Sequence, residues 1–138
     1  MIPTIPDNLS VFYTCEIPVR WGDMDAFGHV NNTLYFRYFE EARSQLLHDK
    51  NIPIDGDNHP VLVSIGCTFL APIFYPDNLR IDMYISELGR SSFMMHYRVF
   101  TRSNPKIPSA EAYSKIVWVS HHNGKSIPLP DNVRFWFD

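Results

Sequence analysis

Only one stretch of this sequence carries the period of a helix, and this feature limits the possible folds more than any other. From Asn32 to about Asp49, apolar residues recur every three or four positions on the face formed by Tyr35, Phe39, Ala42 and Leu46. Asn31 or Asn32 can cap its start, and Pro53 prevents its continuation. Most of the remaining sequence alternates between apolar and polar residues, as strands do. The chain therefore has one long helix to bury against a sheet.

Five segments have the alternating pattern of strands. One runs from about Phe12 to Arg20, before the helix, and four follow it at about 61–70, 79–86, 93–100 and 110–119. Because short connections favour antiparallel neighbours, we expect the last four strands to form a meander-like sheet along the helix. The closing residues 130–137 are expected to form a short helix. Residues 1–138 contain no internal repeat and no long linker, which predicts a single α+β domain.

The charge and the cysteine content exclude several classes of protein. Twelve Lys and Arg against fifteen Asp and Glu give a net charge of −3, which argues against a nucleic-acid partner. No apolar run approaches the length that spans a membrane. Cys15 and Cys67 are too few for a disulfide framework or a zinc site, which favours the reducing cytoplasm. Cys67 shares an alternating face with Val63 and Phe69, and we expect that face to be buried.

The residues that carry chemistry lie between the first strand and the helix. Asp25 stands a few positions before the helix start, where free N–H groups and the positive end of the helix dipole are expected near Asn31 and Asn32. A carboxylate beside such amides supplies a base or nucleophile together with an oxyanion site, as acyl transfer requires. Gly28 allows the backbone to turn tightly between them. The same spacing also fits a loop whose acid serves only the turn and the helix cap.

The motif at this junction is similar to that of a known family. It reads D-x-x-G-H-V-N-N-x-x-Y from Asp25 to Tyr35, followed by F-E-E-A-R from Phe39 to Arg43. Together with the order of strand, helix and four strands, it resembles the hot-dog fold thioesterases, in particular the 4-hydroxybenzoyl-CoA thioesterase-like group. The resemblance implies a five-stranded antiparallel sheet wrapped around one central helix. It also implies hydrolysis of an acyl-CoA thioester to a carboxylic acid and coenzyme A, without a metal or a bound cofactor.

The resemblance assigns roles to four residues of the motif. Asp25 matches the catalytic carboxylate, which acts as a nucleophile or as a base for water. The backbone N–H of Asn32 matches the group that polarises the thioester carbonyl, and Gly28 lies in the loop between them. His29 would assist by orienting water or Asp25.

Further residues are expected to contact the substrate or a second subunit. By resemblance, the hairpin after Gly89 contacts the phosphates of coenzyme A through Arg90, Ser91 and Ser92. Four aromatic residues either line an acyl tunnel or belong to the core, namely Trp21, Phe27, Tyr35 and Tyr38. Because hot-dog proteins build their sites between subunits, we expect a homodimer or homotetramer with Asp25 near the interface.

Other functions stay open at this point. Acyl-carrier-protein thioesterases also show W-x-D-x-D and H-V-N-N, but they typically carry Asn at the position of Phe27. A hot-dog hydratase or dehydratase pairs a histidine with a carboxylate differently. A non-catalytic subunit would bind acyl-CoA or acyl-carrier protein without turning the thioester over. The presence of Asp25, Gly28 and the helix start together favours catalysis.

Acidic residues close to the motif admit several interpretations. Asp23 is expected to hydrogen-bond the turn, or to raise the proton affinity of Asp25. These two acids with one histidine are not expected to form a metal site. Another hot-dog branch uses a helix glutamate as its catalyst, so Glu40 or Glu41 could compete with Asp25. We interpret both instead as part of an exposed helix face, on which Arg37 pairs with Glu41.

Overall fold

The computed structural model describes residues 4–53 and 56–138. One strand precedes the long helix, four strands follow it, and a short helix comes last: β1 (Tyr13–Pro18), α1 (Tyr35–Asp49), β2 (Asn58–Phe69), β3 (Asn78–Ser86), β4 (Ser92–Thr101), β5 (Ala110–Ser120) and α2 (Asp131–Arg134). Three short 3-10 turns occur at Trp21–Asp23, Asn32–Leu34 and Phe135–Phe137. The predicted order of elements is confirmed.

The five strands form one antiparallel sheet in the order β1-β3-β4-β5-β2. The helix buries one face against this sheet, and that face is the predicted one, with Tyr38 added to it: Tyr35, Tyr38, Phe39, Ala42 and Leu46. The ring of Phe39 lies 4.8 Å from that of Tyr97 on β4, at the centre of the core. The predicted hot-dog architecture, a five-stranded antiparallel sheet with one long helix, is confirmed.

The meander prediction is wrong for β2. We expected this strand beside β3, but it pairs with β5 and forms one edge of the sheet. The cause is the connection 70–77, whose backbone is hydrogen-bonded to other parts of the fold at several points. The amides of Leu70 and Ala71 donate to the carbonyl of Ser109, next to β5, and the carbonyl of Ile73 accepts from the amide of Val30. These long-range bonds lead the chain away from β2, so β3 begins three strands further into the sheet.

The register of β2 also departs from simple alternation. A shift between Leu62 and Ser64 places Val63 in a bulge, where it is 55% exposed instead of buried. After the bulge, Ile65 and Cys67 pair with the buried residues Ser114 and Ala112 of β5. Cys67 is half-buried rather than fully buried, because β2 is an edge strand.

The ends of the helices differ slightly from expectation. The segment predicted to open the long helix is a 3-10 turn at Asn32–Leu34, and α1 itself begins at Tyr35. The closing residues form the short α2 followed by a 3-10 turn, in which Trp136 and Phe137 pack against Phe93. Within residues 4–53 and 56–138, none of the helices has the length and apolar character needed to cross a membrane.

Candidate active site

The loop that carries Asp25 is a tight, internally bonded turn. The amide of Asp25 donates to the carbonyl of His29 over 2.8 Å, and the amide of Gly28 donates to the carbonyl of Asp25 over 3.1 Å. Gly28 has φ +85°, a backbone conformation that residues with a side chain rarely adopt. Met24 and Val30 close the base of the loop as an antiparallel bridge. These bonds therefore fix the backbone conformation from which the Asp25 side chain projects.

The two oxygens of the Asp25 carboxylate have different surroundings. Oδ1 accepts hydrogen bonds from the amides of Phe27 at 2.8 Å and His29 at 3.3 Å. Oδ2 lies 3.2 Å from Nδ1 of the His29 ring. The side chain is 24% exposed, so it is oriented by the loop and still reached from solvent. Oδ1 thus fixes the carboxylate through the loop amides, while Oδ2 faces the imidazole.

The start of the helix lies directly after this loop. Asn31 is the cap residue: its side-chain oxygen accepts from the amide of Thr33 at 3.0 Å, and its carbonyl accepts from the amide of Leu34. Among the hydrogen bonds within residues 4–53 and 56–138, none uses the amide of Asn32 as its donor. An unpaired N–H in the first turn carries partial positive charge, so it can receive an oxygen on which negative charge develops.

A cleft of about 230 Å³ opens between the helix start and the end of β2. One wall contains His29, Asn32 and Tyr35, and the other is formed by residues 69–72. The rings of Tyr35 and Phe69 meet edge to face at 4.8 Å. The structure thus brings four of the residues singled out in the sequence together: His29 and Asn32 in the cleft wall, Tyr35 beside them, and Asp25 bonded to His29.

Aromatic rings enclose His29 on two sides. Phe27, which is 83% exposed, stacks on the imidazole at 6.1 Å, and Phe74 meets it edge-on at 6.0 Å. Phe74 was missed in the sequence because it is far along the chain, and only the connection 70–77 brings it to His29 as an isolated bridge. Trp21 is strongly exposed, whereas Tyr38 is buried and belongs to the core rather than to an open tunnel.

The acidic neighbours of Asp25 point elsewhere. Asp23 does not bond the turn with its side chain: its carboxylate is buried and accepts from the hydroxyl of Tyr38 at 2.6 Å. Since Asp23 and Asp25 face different partners, they do not converge on one point. Within the described parts of the chain, no group of three or more His, Cys, Asp or Glu side chains is arranged to hold a metal ion.

The expected pair between Arg37 and Glu41 is wrong. Glu41 bonds Arg20 instead, whose Nη2 lies 2.9 Å and 3.1 Å from the two carboxylate oxygens. Arg20 follows β1, and the packing of that strand beside α1 brings its guanidinium to Glu41. Glu40 is exposed and does not line the cleft beside Asp25.

The hairpin expected to contact coenzyme A lies far from Asp25 in the same chain. The Asn78 end of β3 is near the site, because the amide of Val19 donates to the carbonyl of Asp77. The hairpin that contains Arg90, Ser91 and Ser92 follows the other end of β3, after nine residues, a distance of roughly 30 Å in a strand. One chain alone therefore does not unite these residues with Asp25.

Two titratable groups next to the cleft are uncharged at neutral pH. Burial raises the pKa of Tyr35 to about 12 and the pKa of Cys67 to about 12. A thiol with such a pKa is not a nucleophile at pH 7, since the thiolate is the reactive form. Among the groups beside this cleft, the Asp25 carboxylate and the His29 imidazole are those suited to proton transfer or attack.

Comparisons with known proteins bear on the family and the fold. Residues 19–137 match the family model described as the thioesterase-like superfamily. The solved structure of the PA2801 protein from Pseudomonas aeruginosa has a TM-score of 0.89 and 39% identity, covering 94% of this chain and 100% of that one. A relative from Aquifex aeolicus (strain VF5) is 35% identical over 119 residues, which cover 83% of this chain and 89% of the relative.

A solved structure with a stated activity is also similar. It is a gentisyl-coenzyme A thioesterase, with a TM-score of 0.80 and 26% identity, and the match covers 91% of this chain and 100% of that one.

Proposed function

The chain belongs to the thioesterase-like superfamily, and on that basis we propose that it hydrolyses acyl-CoA thioesters to a carboxylic acid and coenzyme A. Thioester hydrolysis is the activity for which its family and the similar gentisyl-coenzyme A thioesterase are named. The observation that carries the finer proposal is the Asp25 carboxylate, with one oxygen held by two loop amides, beside a helix start whose Asn32 amide is open.

In the proposed reaction the thioester carbonyl oxygen accepts from the Asn32 amide. The positive end of the helix stabilises the negative charge that develops when the carbonyl carbon is attacked. Asp25 Oδ2 either attacks that carbon, to form an anhydride that water then cleaves, or removes a proton from the attacking water. In both cases the carbon–sulfur bond breaks, the hydroxyl of water ends on the acyl group, and a proton reaches the leaving thiolate.

The position of His29 supports a role that serves the same carboxylate. Its Nδ1 is 3.2 Å from Asp25 Oδ2, so a proton on Nδ1 would hold this oxygen in position. Phe27 and Phe74 limit the rotation of the ring from two sides. We assign His29 an assisting role, to orient Asp25 or the water, rather than that of main base.

An apolar cavity of about 190 Å³ lies between α1 and the inner face of the sheet, and its wall includes Leu46, Phe93 and Trp118. Leu62 borders it near the Asn58 end of β2, whereas Phe69 at the other end of the strand lines the cleft beside Asn32. Seven strand residues span roughly 23 Å, so a compact acyl group of a thioester bound at Asn32 would not reach this cavity of the same chain.

A homodimer would complete the site. β2 is an edge strand with an unpaired ladder and exposed apolar residues, Leu62 and Val63. If two copies pair these edges antiparallel about a two-fold axis, the Asn58 end of one β2 lies beside the Phe69 end of the other. The hairpin with Arg90 is at the Asn58 end of its own chain, because β2, β5 and β4 pair in that register. Its basic group would then reach the Asp25 cleft of the partner subunit.

The substitution Asp25→Asn tests the proposed function. It keeps the shape of the side chain and removes the base or nucleophile, so thiol release from a panel of aliphatic and aromatic acyl-CoA substrates should be lost. Circular dichroism and size-exclusion chromatography should show unchanged folding and assembly. The matched variant Glu40→Gln removes a carboxylate on α1 that does not line the cleft, and it should retain turnover. Equal rates for wild type and Asp25→Asn, or loss only in Glu40→Gln, would remove Asp25 from the mechanism.

The same panel separates the alternatives. Acyl-carrier-protein thioesters compare the two carriers, and Phe27, where such thioesterases typically have Asn, speaks against their Asn-dependent mechanism. An enoyl-CoA hydration assay detects a hydratase. Calorimetric binding of acyl-CoA without any turnover would identify a non-catalytic binding protein.

A further inference from the structure

Asp23 connects the loop that carries Asp25 to the first turn of helix α1 through a buried hydrogen bond. Its Oδ2 accepts from the hydroxyl of Tyr38 at 2.6 Å. Asp23 is 7% exposed and Tyr38 is 2% exposed. Burying a carboxylate is unfavourable unless it is hydrogen-bonded, so this carboxylate depends on its tyrosine.

The backbone of Asp23 also holds the other side of the loop. Its carbonyl accepts from the amide of Asn31 at 3.0 Å. Asn31 caps the helix start and directly precedes Asn32, whose amide is the proposed oxyanion donor. Asp25 lies two residues after Asp23 in the other direction. Both functional groups of the proposed site are therefore attached to one residue, and Tyr38 fixes that residue to the helix.

A second link between the same segments is weaker. Arg20 bonds Glu41, but both side chains are exposed, and an exposed ion pair contributes little. The backbone amide of Arg20 donates to the Tyr38 hydroxyl at 3.2 Å, so this hydroxyl receives one hydrogen bond and gives another. The Tyr38 hydroxyl is thus the point at which the end of β1, the Asp25 loop and α1 meet.

We propose that Asp23 and Tyr38 are positioning residues that set the Asp25 carboxylate against the Asn32 amide. This inference rests on the proposed function. Both side chains are buried and neither lines the cleft, so they do not touch the substrate. Their loss should change the alignment of the reacting groups and leave the binding of the substrate largely intact.

The main variant is Tyr38→Phe, which keeps the ring and removes only the hydroxyl. We expect kcat to fall by about 10- to 100-fold, because a shift of about 1 Å in a reacting group can have an effect of this size. The value of KM should stay within a factor of about two, since substrate contacts are unchanged. Asp23→Asn keeps an oxygen that accepts from Tyr38 and should retain most of kcat, whereas Asp23→Ala should resemble Tyr38→Phe.

The chain contains a matched control at the other end of the helix. Tyr13 on β1 donates its hydroxyl to Asp49 at the end of α1, which is also a tyrosine–carboxylate hydrogen bond to the helix but is exposed and far from the Asp25 loop. Tyr13→Phe should therefore leave kcat and KM unchanged. Urea unfolding of each variant establishes that it is folded under the conditions of the assay.

A second readout does not depend on turnover. In ¹H–¹⁵N spectra, the amides of Phe27 and His29 report the hydrogen bonds to Asp25 Oδ1. Their resonances should move in Tyr38→Phe and remain in place in Tyr13→Phe. Unchanged resonances, an unchanged kcat in folded Tyr38→Phe, or a loss confined to KM would overturn the proposal. If the wild type hydrolyses no thioester but the resonances move, the proposed function fails and the positioning link stands.

Discussion

The strained turn at Gly28 leads to a prediction with a magnitude that follows from the structure. Gly28 has φ +85°, and no atom lies within 4 Å of the position that a Cβ would take there. The substitution Gly28→Ala therefore meets no steric obstacle, and its whole effect comes from the backbone conformation. A residue with a Cβ in the left-handed region costs about 1–2 kcal/mol.

Gly22 provides a control with the same open surroundings. No atom lies within 4 Å of its Cβ position either, but its φ is not in the left-handed region. Gly22→Ala should change the free energy of unfolding little, or raise it by about 0.4–1 kcal/mol, because it restricts the unfolded chain. The two variants should thus differ by about 2 kcal/mol in urea unfolding. For a chain of this length, each kcal/mol corresponds to a difference of about 3–4 °C in Tm.

The same substitution should also lower activity. Gly28 lies between the two amides that hold Asp25 Oδ1, so a loop that relaxes around an alanine releases the carboxylate. Thiol release from an acyl-CoA substrate should therefore fall in Gly28→Ala and stay unchanged in Gly22→Ala. If the two alanine variants have the same stability and the same kcat, the left-handed turn does not position Asp25, and the reasoning is refuted.

Three further predictions concern the edge strand, the pH dependence of stability and the half-buried thiol of Cys67. Val63→Asp introduces a charge on the exposed edge of β2 and should convert the proposed dimer to a monomer in size-exclusion chromatography; an unchanged elution volume contradicts the proposed edge pairing. Burial alone would raise the pKa of Asp77, but hydrogen bonds from the Ser103 hydroxyl and neighbouring amides outweigh it and lower the pKa. The carboxylate therefore stabilises the native state above the unfolded pKa of about 3.9, and this contribution is lost as the pH falls through the native pKa. The difference in unfolding free energy between wild type and Asp77→Asn should accordingly narrow as the pH falls from about 6 to about 3, the range in which carboxyl groups titrate. A difference that stays constant over this range contradicts the stabilising role of the Asp77 carboxylate. Cys67, with its pKa raised to about 12 by burial, should react slowly with a thiol reagent at about pH 8 until the protein is unfolded, and rapid labelling of the native protein would show that the thiol is accessible.

The proposed dimer also explains why, within a single chain, the parts of the proposed site lie at opposite ends of the sheet. The Asp25 loop and the helix start are at one end, and the hairpin with Arg90 is at the other. Antiparallel pairing of two β2 edges reverses one chain against the other. Each cleft would then take its carboxylate from one subunit and its phosphate-binding arginine from the next, and Val63→Asp would reduce activity together with assembly.

Much of the site could be predicted because it is local in the sequence. Asp25, Gly28 and Asn32 lie within eight consecutive positions, so their spacing alone places a carboxylate, a turn and a helix start next to each other. The helix itself is equally local, since the period of its apolar residues is set by the geometry of the backbone. The five strands could be predicted for the same reason.

The larger differences from prediction depend on contacts between distant residues. The position of β2 follows from the bonds between 70–77 and Ser109, and the alternation of β2 itself is equally compatible with either neighbour. Arg37 is four positions before Glu41 on the helix and Arg20 is far from it in the sequence, and only the packing of β1 beside α1 brings Arg20 to Glu41. Phe74 reaches His29 in the same way.

The residues themselves determined the helix, the strands and the turn with its carboxylate, because short-range backbone geometry and apolar periodicity are properties of adjacent positions. Tertiary structure decided which strand lies at the edge, which arginine meets Glu41, and that Asp23 turns inward to Tyr38 while Asp25 faces the solvent. Alternating patterns specify which side of a strand is buried but not its neighbour, and a charged side chain pairs with whichever partner the packed elements bring within reach.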